Sequence, residues 1–265
     1  MKSMYLEILN DFHQNIIDKR KLWLVLARVD LKQKYQRTIL GRIWLLLIPL
    51  IQILIIGPVY AILFNKNLDE YLLYLTIGLL IWNFISNSIT ELSTILIHSE
   101  SYLLELKINV SRFIFKVIYK NIYILINTLP VLLLVILYNN YSLNIIIFSS
   151  FIGLFLTIID LYLIGIVISL LSIKYRDIPI LITNILNLLF LVTPVFWSGK
   201  DILSEKYHVL LLNPFYHMLE SIRLPIISNK IPYDSFYFLL IFSFILLIFS
   251  EFIIRRLKYK VVYLL

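Results

Sequence analysis

The chain has 265 residues, 60% of them apolar and only 15% charged, with a mean hydropathy of +0.89 and a net charge of +8. Ordinary soluble domains carry nearer ~25% charged residues, so this composition excludes a water-soluble core under a polar shell and makes lipid the solvent. In lipid the backbone must satisfy its own polar groups, which admits helices or closed barrels, and apolar stretches of about twenty residues select helices over ten-residue alternating strands. The absence of cysteine removes disulfides and thiolate chemistry.

The N-terminal segment lacks the short apolar core and small-residue cleavage site of a secretory signal, so the first span is expected to act as the insertion signal. Tyr5, Leu9, Phe12 and Ile16 recur at helical spacing, and the stretch to Tyr35 mixes Trp23, Leu24, Ala27 and Leu31 with Arg28, Lys32 and Lys34. This predicts an amphipathic helix in the inner interface. A passive basic anchor for the first span has the same pattern. Hydropathy then predicts six spans in one transmembrane domain: Ile43 to Phe64, Tyr71 to Leu92, Phe113 to Tyr138, Leu143 to Ile173, Ile178 to Trp197 and Phe236 to Ile254. The fourth stretch exceeds the ~30 Å hydrocarbon layer and must tilt, kink or protrude. Gly153 and Gly165 there permit close helix packing.

Nine basic residues precede the first span (Lys2, Lys19, Arg20, Lys21, Arg28, Lys32, Lys34, Arg37 and Arg42), and Arg255, Arg256, Lys258 and Lys260 follow the last. By the positive-inside rule both termini are cytoplasmic. Lys107, Arg112, Lys174 and Arg176 put two internal connections on the same side, whereas Lys66 is the lone basic residue of the first opposite connection. Anionic headgroups account for the positive excess without invoking nucleic acid.

Two soluble connections stand out. Residues 96 to 112 carry Glu100 and Glu105 among Lys107 and Arg112, a stretch suited either to a solvated connector or to a short helix that a partner grips. Ser198 to Asp234 is too polar and too broken by Pro214, Pro225 and Pro232 to span, yet too rich in leucine and aromatics for a free loop. Short external re-entrant or interfacial helices fit it, sheltered by protein or a water-filled cavity.

Asp160 lies well inside the fourth span, at an insertion cost of roughly +2.5 to +3.5 kcal/mol for a carboxylate, and is read as a structural hydrogen-bonding group. Glu91 and Glu251 lie near span ends and reach water. His13, His98, His208 and His217 are scattered over both sides of the membrane, and the sequence has no Walker phosphate loop. A membrane-embedded glycan-processing enzyme would need a cluster of carboxylates, histidines or metal ligands. A proton-coupled secondary transporter would need more buried ionisable groups. Both remain the alternatives to a channel subunit driven by a partner.

The run Asp30-Leu-Lys-Gln-Lys-Tyr-Gln-Arg-Thr-Ile-Leu-Gly-Arg-Ile-Trp44 to Pro49, the pair of motifs Tyr175-Arg176-Asp177-Ile178 and Thr193-Pro194-Val195-Phe196-Trp197, and the segment Leu212-Asn213-Pro214-Phe215-Tyr216-His217 with Glu220 and Arg223 occur in one order. Together they resemble the permease subunits of type-two ABC exporters, especially those for O-antigen, capsule or teichoic-acid-like polymers. The resemblance implies a homodimer bound to two separate ATP-binding cassette subunits, which carry ATP and Mg, while this chain holds no catalytic residue, cofactor or metal of its own. The polymer or glycolipid channel would run between the copies. Trp44, Tyr60, Phe64, Phe190, Phe196 and Trp197 are channel-lining candidates, because aromatic rings stack on sugar faces; Trp and Tyr also collect at any membrane interface. Arg176 and Asp177 are assigned to a cytoplasmic gate, and Asn213, Pro214, Tyr216, Glu220 and Arg223 to an external one. Coupling to the ATPase is assigned to Glu100, Tyr102, Leu103, Glu105 and Lys107, assisted by Arg28, Asp30 and Lys32 of the interface helix. Where many members carry Phe-Pro near the end of the coupling loop, this chain has Ile108-Asn109-Val110.

Overall fold

A computed structural model describes residues 20–36, 38–99, 110–139, 141, 144–198 and 209–257. Among them the longer helices are α1 (Arg20–Tyr35), α2 (Trp44–Leu63), α3 (Leu68–His98), α4 (Val110–Tyr138), α5 (Ser149–Lys174), α6 (Ile178–Val192), α7 (Pro214–Ile227) and α8 (Tyr233–Leu257). Short 3₁₀ turns at Gly41–Ile43 and Ile145–Phe148 lead into α2 and α5.

Among the described residues five segments are long and apolar enough to cross a bilayer: Gly41–Leu63, α3, α4, Ile145–Lys174 and α8. The expected fifth stretch, Ile178 to Trp197, differs. Its helix α6 ends at Val192 after 15 residues, about 22 Å at 1.5 Å per residue. The break has a local cause. The residue before a proline is pushed out of the helical region, and Thr193, preceding Pro194, has ψ 134°. Among the described residues, five helices reach spanning length and α6 is a short apolar helix, so the sixth full-length span expected from hydropathy is not seen as one continuous helix.

α3 is the central element. In its apolar window 72% of the residues are buried, against 28% for α2, 28% for α4 and 22% for α8, so α3 is the post on which the others lean. It is also the least apolar of the five, with a mean hydropathy of 1.5 against 2.1 to 2.5 for the others, as suits a helix that its neighbours shield from lipid. At the basic end, Leu92, Leu96, Phe113, Ile114, Val117, Ile166, Leu170 and Leu257 of α3, α4, α5 and α8 form one core. Nearer the other end Leu80, Ile85, Leu161, Met218, Ile222 and Leu239 form a second, and α7 supplies two of them. Outward surfaces of α2, α4 and α8 carry rows of exposed Ile, Leu and Phe.

α1 confirms the amphipathic reading of residues up to Tyr35. Ala27 and Leu31 are buried, Trp23 stacks on Phe115 at 5.9 Å and meets Tyr119 edge-on at 5.5 Å, and the Asp30 carboxylate pairs with Lys116 at 2.7 Å. α1 is thus docked on α4. The earlier Tyr5 to Ile16 pattern lies outside the described residues.

Both glycines noted in the fourth stretch sit at close contacts. A Cβ at Gly153 would lie 2.5 Å from the Ser221 carbonyl oxygen of α7, and one at Gly165 would lie 2.9 Å from the Leu92 side chain. Asp160 is fully buried and accepts a 2.5 Å hydrogen bond from the Ser243 hydroxyl of α8. This is the structural role its position suggests. Asp160→Asn keeps the acceptor, so the variant is expected to retain thermal stability within about 1 kcal/mol and to transport normally; a collapse of transport in a stably folded D160N protein would instead mark a proton-carrying group.

Candidate functional site

Opposite the basic termini, residues 193–198 form a non-helical segment at the end of α6, around which gather the channel-lining candidates other than Trp44 and the external-gate candidates. Two tyrosines one turn apart on α3 hold its carbonyls. Tyr71 donates to Phe196 O at 2.6 Å, and Tyr74 donates to Trp197 O at 2.9 Å and Pro194 O at 3.3 Å. A segment without helical hydrogen bonds has orphan carbonyls, and in an apolar setting each must find a donor. Gly78, one turn below Tyr74, lets the segment come close: a Cβ there would lie 2.2 Å from Val195 O.

α7 contributes from the other side. Asn213 caps it by accepting from Phe215 N at 3.0 Å, while its amide nitrogen donates to Thr193 Oγ1 at 3.0 Å. One asparagine thereby starts α7 and fixes the end of α6, and Pro214 occupies the first helical turn, where its missing N–H costs nothing. Arg223 is 2% exposed. Its guanidinium pairs with Glu220 one turn earlier, donates to Pro194 O at 2.9 Å and stacks over the Tyr74 ring at 3.9 Å. A buried cation is tolerated only with such compensation. Tyr216, also buried, lies edge-on to His217 at 5.1 Å.

His217 is held at both ring nitrogens. Its Nε2 faces Leu211 O at 2.9 Å, which can only accept, so Nε2 carries the proton and Nδ1 accepts from the Ser235 hydroxyl at 3.1 Å. Burial pushes this imidazole below its ordinary pKa, and the ring stacks on Phe238 at 4.0 Å. The neutral ring ties α7 to α8.

Beside this lattice the aromatic candidates form a cluster: Tyr60 lies 5.6 Å from Phe64 and 4.9 Å from Phe196, and Phe190 lies 5.4 Å from Phe196. Trp82 and Phe215 extend it. Trp197 donates its indole N–H to Leu191 O at 3.1 Å. Trp44 is not part of this cluster; it stands at the opposite end of α2, bordering a separate cavity. Arg176 and Asp177 are exposed in the turn between α5 and α6, also away from the cluster. Arg28 and Lys32 are exposed on α1. Glu100, Tyr102, Leu103, Glu105 and Lys107 lie outside the described residues.

Sequence reasoning gave no role to Tyr71, Tyr74 and Gly78, or to Thr193 beyond its place in a motif, yet these hold the segment from within. Their signal was present: two tyrosines and a glycine at helical spacing, on one face of the second span. It also missed the polar stripe of α6, where Thr183, Asn184 and Asn187 are exposed. The first two partly satisfy themselves on Pro179 O and Ile180 O.

Comparison with known proteins agrees with this architecture. Residues 21–227 match the ABC-2 type transporter family. The O-antigen export system permease protein RfbA of Myxococcus xanthus is 21% identical over 217 residues, covering 80% of this chain and 83% of the relative. A protein of the same name from Klebsiella pneumoniae is 25% identical over 249 residues, covering 90% and 93%. With its apolar spans and the match from α1 through α7, the chain belongs to the ABC-2 type transporter family as a multi-pass inner-membrane permease.

Proposed function

We propose that this chain is the channel-forming subunit of an ATP-driven exporter that moves a cell-surface polysaccharide, in lipid-linked form, across the cytoplasmic membrane.

 Two copies enclose the channel, and two separate subunits bind ATP and Mg and hydrolyse the nucleotide. O-antigen, capsule and teichoic-acid-like polymers all fit this scheme, and the two relatives, both named as O-antigen export permeases, favour the first. In this reading α6 counts as a sixth, shortened crossing, both termini are cytoplasmic, and α7 is a re-entrant helix of the outer face.

The observation that carries the reading is the pair of surfaces on α2 and α6. α6 exposes Thr183, Asn184 and Asn187 in the middle of an apolar helix, and polar groups left against lipid are costly. This face therefore suits an aqueous path or a second copy. The aromatic cluster of Tyr60, Phe64, Phe190 and Phe196 offers a hydrated glycan sliding contacts, with Trp197 beside it. Asn213, Pro214, Tyr216, Glu220 and Arg223 hold the outer gate, and Arg176 and Asp177 border the inner opening.

Co-purification of the tagged chain with the ATP-binding subunits of its own cell tests the assignment. A stable complex is expected. A Glu100→Ala/Glu105→Ala double variant is expected to lower export-coupled ATP hydrolysis by about tenfold. Recovery of no ATPase partner in several mild detergents, with transport unaffected by the loop change, would transfer the chain to a secondary transporter or a membrane enzyme.

A further inference from the structure

A second site lies nearer the basic end, away from the lattice around residues 193–198. There α2, α3 and α4 enclose a crevice of about 300 Å³, bordered by the end of α1, a size at the lower limit of the ~300–1,000 Å³ typical of small-molecule sites. Its walls carry four carboxamides, on Gln52, Asn83, Asn87 and Asn121, and its rim carries Lys34 and Trp44. Asn83 donates to Gln52 Oε1 at 3.1 Å, and Asn121 donates to Glu91 Oε2 at 3.0 Å and to Val117 O at 3.1 Å. Among the described residues this leaves the Gln52 amide nitrogen and both ends of Asn87 without a protein partner. Amide donors at hydrocarbon depth demand acceptors.

The groups occur in a definite order along the bundle. Farther from the basic end the same three helices flank an apolar recess of about 570 Å³, lined by Leu50, Leu54, Pro58, Leu72, Val131 and Leu134. Then come the amides, and last the Lys34 ammonium and the Trp44 indole. A glycerophospholipid presents the complementary order: acyl chain, ester carbonyls that only accept, and an anionic phosphate. Trp44 and Ile48 are exposed at the lip, so a lipid of the adjoining leaflet has direct access.

We propose that this crevice binds one anionic diester phospholipid, its ester carbonyls on the free amide donors of Gln52 and Asn87 and its phosphate toward Lys34. The site does not depend on the identity of the exported cargo, and its failure would leave the exporter assignment untouched.

The test is native mass spectrometry of the delipidated protein titrated with four probes: dioleoyl phosphatidylglycerol, its diether analogue, dioleoyl phosphatidylcholine and undecaprenyl phosphate. The diester phosphatidylglycerol is expected to bind about tenfold tighter than either the diether or the phosphatidylcholine. Asn87→Leu is expected to abolish the preference for the ester, and Lys34→Gln the preference for the anionic head. Both residues are exposed, so neither change threatens folding, which thermal unfolding checks. Equal binding of the diester and diether, or affinities unchanged in both variants, overturns the proposal. Tighter binding of undecaprenyl phosphate than of the diester also overturns it and makes the crevice a site for a prenyl-linked cargo.

Discussion

Arg223→Met is expected to destabilise the protein by about 3–5 kcal/mol, the usual cost of removing one member of a buried ion pair, and to abolish export. Three interactions disappear together. The guanidinium pairs with Glu220, donates to Pro194 O and stacks on Tyr74, and its departure leaves a carboxylate that is 8% exposed without its counter-ion. Lysine does not substitute, because a single ammonium cannot present two separate donors and a planar face at once. Replacing both partners, Glu220→Met with Arg223→Met, removes the orphaned charge and is expected to recover much of the stability while export stays low. Thermal unfolding in detergent and transport into vesicles, measured on the same three proteins, separate the two effects. If the single variant is as stable as the wild type, the pair is not holding residues 193–198.

Gly78→Ala is expected to be almost as damaging, although it adds one methyl group. The new Cβ would meet Val195 O at 2.2 Å and the Val195 carbonyl carbon at 3.2 Å. The obstacle is backbone, so it cannot swing aside as a side chain can, and overpacking of this kind costs about 1–3 kcal/mol. Moving Val195 also disturbs the carbonyls of Pro194, Phe196 and Trp197, which Tyr71 and Tyr74 hold. Gly165→Ala is the control. The three atoms nearest its Cβ would belong to the Leu92 and Ile114 side chains, which can rotate, so a smaller loss in thermal stability is expected there. Equal losses at the two glycines would contradict a backbone clash at Gly78.

Much of this architecture is legible in the sequence for a simple reason: lipid solvent leaves few solutions for an apolar chain. The α1 face carrying Trp23, Ala27 and Leu31 follows from helical spacing alone, and the helices of the long spans follow from hydropathy. The end of α6 does not, because a hydropathy window averages across Thr193 and Pro194 while the backbone responds to each residue separately. The site divides the same way. Tyr60, Phe64, Phe190 and Phe196 were recognisable as aromatics near span ends, and Asn213, Glu220 and Arg223 as polar groups in an apolar segment. Trp44 has the same residue chemistry as the others but sits at the far end of its helix, away from their cluster. Tyr71 and Tyr74 look like ordinary interfacial tyrosines until the carbonyls they hold are known. The amides of Gln52, Asn83, Asn87 and Asn121 vanish into the high mean hydropathy of their spans.

The early end of α6 has a consequence for the surrounding bilayer. A helix of 15 residues reaches about 22 Å, some 8 Å short of a ~30 Å hydrocarbon layer. If α6 is the sixth crossing proposed above, acyl chains beside it would have to shorten or water would have to descend to meet residues 193–198, and the membrane would be thinnest along this flank. Longer lipid tails would then load that deformation onto α6 before any other helix, which would make bilayer thickness a mechanical input to the segment where the channel would open.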